Sequence, residues 1–235
     1  GFYVGTERVV PLDRATVASW ITVEPDPAAG LFRFNVDDAA LPALVETLPA
    51  LIDRAPIDTQ VVVNSAGATL ATIAEGVVGR AMGSTDGIAD AFADQLNAGS
   101  GAYQLDVTET PFTTATLHRR IEVDISEQRT YLFENDQVVQ SWFVSTGLPG
   151  HDTDQGRFKI YAHVRIQDMG SEAAGYLTKD VPWVSYFNGD EAFHGAYWHN
   201  NFGRRMSHGC VNMPIPVAQY VYQWAPIGTE VWVHG

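Results

Sequence analysis

The sequence predicts an α+β chain of two domains, a smaller α+β domain over residues 1–112 and a mostly β domain over 117–235. Three observations support this division. Residues 1–116 hold five Arg and no Lys against fifteen acids, whereas 117–235 hold nine bases against thirteen acids. Five of the six tryptophans fall in the second part. Helical spacing of apolar residues marks the first part, and alternation dominates the second. The boundary falls at Thr-Pro-Phe-Thr-Thr-Ala-Thr (110–116), which reads as a polar, Pro-marked linker. With 235 residues, 46% hydrophobic and 18% charged, the chain can bury sizeable cores and is too apolar for disorder.

In the first part, Leu41, Leu44, Val45, Leu48, Leu51 and Ile52 form the stripe of an amphipathic helix, with Asp37 or Asp38 placed to cap it. Pro42 suits its first turn, and Pro49 is expected to kink or shorten it. Residues 61–63 and 70–73, joined through Ala66-Gly67, read as a hairpin. Asp86 followed by Ile88, Phe92 and Leu96 predicts a second helix ending near 97–99, and 103–107 a closing strand.

In the second part, Ile121, Val123 and Ile125 alternate with polar residues. Residues 130–133 and 138–139 form a hairpin around Glu134-Asn135-Asp136. Strands are expected at 142–147 and 156–161, a helix at 215–224, and a last strand at 230–234. Residues 170–182 show no period and read as a long loop, of the kind that serves as a lid.

The formal net charge of −14 offers no basic footprint to displace phosphate counterions, which excludes nucleic acid as the main partner. An anionic membrane surface would not attract it either. One cysteine, Cys210, permits no internal disulfide and no multi-thiolate zinc site. No run of about 18 apolar residues is present. The chain starts at Gly1 rather than Met, so attachment to a membrane is expected only through an N-terminal anchor outside these residues.

Residues 193–213 carry the chemistry. His194, His199, His208 and Cys210 fall within seventeen residues, and Gly209 lets the backbone turn tightly beside the sulfur. A thiolate nucleophile needs an imidazole to take its proton and N–H donors to hold an oxyanion, and this segment supplies both. Three other readings stand beside it: Cys210 as a small buried hydrophobe, a zinc site of three histidines and the cysteine, and Arg204-Arg205 as a solvated pair rather than a carboxylate clamp.

Ser207-His208-Gly209-Cys210-Val211-Asn212, with His194-Gly195 sixteen residues before the cysteine, resembles the signature of the L,D-transpeptidase (YkuD) catalytic domain. The segments beginning at Arg129, Val144 and Gly156 resemble strands of the same domain. Thr153-Asp154-Gln155 departs from the usual Thr-Pro before that glycine. The resemblance covers about 117–235. Residues 1–112 more weakly resemble the peptidoglycan-binding domain often fused in front of such enzymes, through 9–20, the helix after Val36 and Asn64-Ser65-Ala66-Gly67; a spacer without binding is the alternative.

The resemblance implies an extracytoplasmic enzyme that makes 3→3 cross-links in peptidoglycan, without metal or cofactor. Its partners would be stem peptides, a donor tetrapeptide and an acceptor amine. Cys210 would be the nucleophile and His194 its general base, oriented by the Gly195 carbonyl. His208, Gly209 and the Cys210 amide would shape the oxyanion hole. Ser207 and Asn212 would brace the loop or meet substrate, with Trp198, Tyr186, Trp183 and Arg205 as candidate groove residues. It also implies capture of carbapenems by the cysteine. Hydrolysis of the same intermediate by an L,D-carboxypeptidase, and a non-catalytic wall-binding protein, remain alternatives on sequence alone.

Overall fold

A computed structural model describes residues 1–36, 39–171 and 175–235. The proposed cap at Asp37 or Asp38 lies outside the described residues. Along the chain run β1 (Phe2–Val4), β2 (Glu7–Val10), α1 (Arg14–Ser19), β3 (Ile21–Asp26), β4 (Leu31–Val36), α2 (Ala40–Ile52), β5 (Thr59–Val63), β6 (Thr69–Ala74), β7 (Gly79–Met82), α3 (Ile88–Asn97), β8 (Tyr103–Gln104) and β9 (Val107–Thr110). They continue with β10 (Thr114–Asp124), β11 (Arg129–Glu134), β12 (Gln137–Phe143), β13 (Gly156–Lys159), β14 (Ala162–Ser171), β15 (Tyr176–Asn188), β16 (Glu191–Gly195), β17 (Val211–Met213), α4 (Ile215–Trp224) and β18 (Glu230–His234).

These elements group into two units, 1–58 with 76–113, and 59–75 with 114–235. In the first, α2 buries Leu41, Val45, Leu48 and Ile52, and α3 buries Ile88, Phe92, Ala93 and Leu96. Both stripes close over Phe2, Val10 and Leu105. Pro49 does not break α2, because it stands in the last turn, where its carbonyl still accepts the Asp53 amide at 2.8 Å. The expected strand at 103–107 is two short ones: β8 runs parallel to β1 and β9 antiparallel to β7.

Three further expectations are corrected. The 61–73 hairpin does not join the first unit: β5 pairs in parallel with Thr114–His118 of β10, and β6 completes the hairpin. The linker at 110–116 is mostly strand, its β-branched threonines ending β9 and opening β10. Of residues 170–182, expected as a long loop, 170–171 and 176–182 are paired strands of the β14–β15 hairpin, and 172–174 lie outside the described residues. A register shift at Gln167/Met169, with positive φ at Asp180 (48°) and Trp183 (59°), breaks the period-2 pattern that would have revealed it.

In the second unit, β10 is the spine. Beyond its pairing with β5, its second half pairs with β11 on one side and β18 on the other, in the order β12-β11-β10-β18-β13. Asn135 and Asp136, both at positive φ (48° and 63°), make the tight turn between β11 and β12. Ile121, Val123, Leu132, Val231 and Val233 form one buried face against Phe187, Phe193, Val211 and the apolar side of α4. A second sheet, β14-β15-β16-β17, carries the candidate site at its β16–β17 edge. Residues 144–147, expected as strand, form only isolated bridges, Ser145 to Asn212 and Gly147 to Ser207.

Candidate active site

Strand β16 is buried along its whole length and runs parallel to the buried β17, with His194 in register with Asn212. Alternation sends Phe193 into the main core, while Ala192 packs with Val181, Val184 and Cys210. Cys210 is the residue immediately before β17. The buried pairing of β16 with β17 thus holds His194 on one strand and Cys210 at the entrance to its neighbour.

The loop that presents Cys210 is held from several sides. Ser145 and Asn212 exchange backbone hydrogen bonds of 2.9 and 2.8 Å. Thr146 accepts the Met206 and Ser207 amides, and Ser207 accepts the Leu148 amide. The buried Thr153 hydroxyl accepts the Gly147 amide at 3.0 Å and donates to the Gly209 carbonyl at 2.6 Å. Gly209 has φ +123°, a conformation only glycine enters without strain. Ser207 donates to the Cys210 carbonyl and accepts the Gly209 amide at 3.2 Å, so the Gly209 N–H is already engaged.

His194 is buried, and its Nδ1 lies 3.2 Å from the Gly195 carbonyl. A carbonyl only accepts, so Nδ1 carries the hydrogen and Nε2 holds the lone pair. Burial, reinforced by neighbouring His199, lowers the His194 pKa to about 4. Cys210 is half-buried, with Sγ 3.6 Å from the Asp190 carbonyl. Burial pushes its thiol up to about 12; the Ala192 amide opposes this, and the Glu191 and Asp190 carboxylates add to it. Glu191 is itself raised by burial, although Asn188 and the Asp154 amide bond it. At neutral pH the site therefore rests as thiol and neutral imidazole. No hydrogen bond joins the two among the described residues.

Asn212 and His199 settle each other's orientation. His199 Nδ1 accepts the Asn201 amide at 3.2 Å, so a neutral ring carries its hydrogen on Nε2, 3.0 Å from the Asn212 side-chain amide. That N–H needs an acceptor, and the buried Asn212 Oδ1 lacks a partner. We assign the amide with its oxygen on His199, where it accepts that N–H.

Two cavities meet at Cys210. One, of about 280 Å³, is lined by His194, Trp198, Ser207, His208 and Asn212 together with Met169, Tyr176, Thr178 and Val181 of the hairpin. The other, of about 370 Å³, is lined by Gln167, Asp168, Tyr186, Asp190 and Glu191. His208, Tyr176 and Met169 line both, and the Tyr176 ring stacks on His208 at 4.4 Å.

His194, Ser207, His208, Cys210, Asn212 and Trp198 are thus gathered round one cavity, and Gly195 and Gly209 are the chain neighbours of His194 and Cys210 and do not line it. Tyr186 faces the second cavity and accepts a hydrogen bond from Gln167. Arg205 lines neither: it pairs with Asp152 at 2.5 Å. Trp183 also lines neither, packing against Tyr222 and Arg165. The three histidines and Cys210 form no metal-holding group among the described residues. Sequence reasoning missed the hairpin residues, whose alternation the bulge obscures. It also missed Asp190 and Glu191, although Asn188-Gly189-Asp190 carries a legible turn signal ahead of His194.

Residues 118–233 match the YkuD family, the L,D-transpeptidase catalytic domain. The YkuD match contains every one of the candidate residues around Cys210. YciB of Bacillus subtilis (strain 168), which carries the L,D-transpeptidase name, is 30% identical over 128 residues, 48% of this chain and 64% of that protein. Among solved structures, an L,D-transpeptidase from Mycobacterium smegmatis is 22% identical, with TM-score 0.48, over 55% of this chain and 63% of the other. L,D-transpeptidase 3 from Mycobacterium tuberculosis, in complex with a faropenem-derived adduct, is 20% identical with TM-score 0.47, over 55% of this chain and 64% of the other. The chain spans less than two thirds of the length of each of these relatives.

Proposed function

We propose that this chain is an L,D-transpeptidase that forms 3→3 peptidoglycan cross-links through a Cys210 thioester. The observation that carries the reading is the placement of His194 on β16 and of Cys210 at the start of the paired β17, both lining one cavity, within the residues that match YkuD. Cys210 Sγ attacks the carbonyl after the third stem residue as its proton passes to His194 Nε2, the nitrogen left free by the Gly195 contact. Because thiol and imidazole rest neutral, attack requires this proton to move from sulfur to the imidazole. The Cys210 and His208 amides, which have no acceptor among the described residues, are the donors available to the oxyanion. Collapse breaks the C–N bond, and the D-Ala amine leaves with the proton from His194. The acceptor amine then attacks the thioester, His194 takes its proton, and a new amide forms as the thiol is restored.

A second cavity beside Cys210 favours transfer, since an acyl acceptor larger than water needs its own space. Such chemistry acts on the cell wall, so the chain would work outside the cytoplasm. Intact-protein mass spectrometry after incubation with a carbapenem tests the thioester step: one adduct is expected in wild type and none in Cys210→Ala. Incubation with a disaccharide-tetrapeptide tests transfer. Dimers support it, tripeptide alone would mean hydrolysis, and no adduct in a folded, reduced wild type would overturn the proposal.

A further inference from the structure

The largest cavity among those described, about 510 Å³, lies away from Cys210. Its floor is the β10–β18–β13 sheet, and its walls are the side chains of Arg120, Arg157, Lys159, Glu230 and Trp232, with Ser65 at the rim. The strand register explains its charge. Glu230 lies directly opposite both Arg120 on β10 and Lys159 on β13, so simple cross-strand pairing would neutralise this face. The Glu230 carboxylate is turned elsewhere. It accepts from the hydroxyl and amide of Ser65, in the β5–β6 turn, and bonds His118 Nε2 at 3.0 Å. Arg120 is drawn to Glu122 at 2.9 Å. Lys159 is left with no ion pair among the described residues. So is Arg157, whose guanidinium lies over the Trp232 ring at 4.6 Å.

Two unpaired cations thus line one concavity of a chain that carries a net charge of −14. Both are exposed, so each remains open to a ligand. A guanidinium resting over an indole without an ion pair has N–H donors left for a planar or tetrahedral oxyanion, and the lysine adds a point charge beside it. The cavity volume exceeds what an isolated anion needs and admits a body of sugar or dipeptide size.

We propose that this sheet face is a second binding site, for a phosphate or carboxylate group carried on such a body, with Arg157 and Lys159 as its anchors and Trp232 as its apolar wall. The proposal does not depend on the reading of Cys210. A phosphate source would be a phosphodiester polymer, and a carboxylate source a peptide terminus.

The test is titration of the whole chain with glycerol 1-phosphate and, separately, N-acetyl-Ala-Ala, followed by tryptophan fluorescence and calorimetry. Saturable binding of either probe is expected, and the probe that binds identifies the source. Arg157→Gln with Lys159→Gln, exposed positions whose thermal transition should match wild type, should weaken binding at least about tenfold. Trp232→Phe should abolish the fluorescence change while heat of binding remains. Cys210→Ser should bind as wild type does, which separates this site from the catalytic proposal. Absence of saturation with both probes, or binding undiminished in the double variant, would overturn the proposal.

Discussion

Alkylation of Cys210 by iodoacetamide is a direct probe of how the fold treats its thiol. Burial, with Glu191 and Asp190 nearby, raises the pKa from 9.0 to about 12. At a pH below both values, three units remove roughly 1000-fold of the reactive thiolate. The more basic thiolate is intrinsically more nucleophilic, and a Brønsted slope near 0.45 returns about 20-fold. The folded protein should therefore alkylate about 50-fold more slowly than the same chain unfolded in urea. Intact mass measured against time across pH 6 to 11 gives the rate constant at each pH. The rate should climb throughout, without a plateau. Glu191→Gln removes one of the carboxylates that raise the thiol and should speed the reaction. A plateau below about pH 9 would refute this reasoning, because it would mean that a resting thiolate is already stabilised, as in a thiolate–imidazolium pair.

Other outcomes test the neighbouring groups. His194 is buried with its pKa lowered from 6.5 to about 4, so the unfolded chain binds a proton that the folded chain refuses between those values. Stability should fall by about 3 kcal/mol as pH drops from 6.5 to 4, and Tm against pH should lose this component in His194→Gln. The same variant should slow carbapenem acylation by about 10²–10⁴-fold if the imidazole is the base. Thr153→Val keeps the shape but strands the Gly147 amide and the Gly209 carbonyl, a loss of about 1–3 kcal/mol measurable by urea unfolding. Gly209→Ala forces a Cβ into φ +123°, 3.4 Å from Glu191 Oε1, and should cost about 1–3 kcal/mol by the same measurement.

The resemblance at 194–212 was carried by residue types at a restrained spacing, and that much the chain determined by itself. Local physics was also readable: the apolar stripes of α2 and α3, the turn at Asn135-Asp136, and the helix α4 over 215–224. These signals rest on neighbours within a few residues, which one sequence contains.

Tertiary structure decided what depends on distant partners. The β5–β6 hairpin has the local pattern of any hairpin, and only the free edge of β10 settled which unit it joins. Arg205 resembled a carboxylate clamp until Asp152, 53 residues earlier, claimed it. The Cys210 pKa follows from burial and from carboxylates delivered by the turn before β16, and desolvation has no signature in a motif. The unpaired cations beside Trp232 are likewise invisible in one dimension, because they exist only where three strands lie in register and a fourth segment draws Glu230 away.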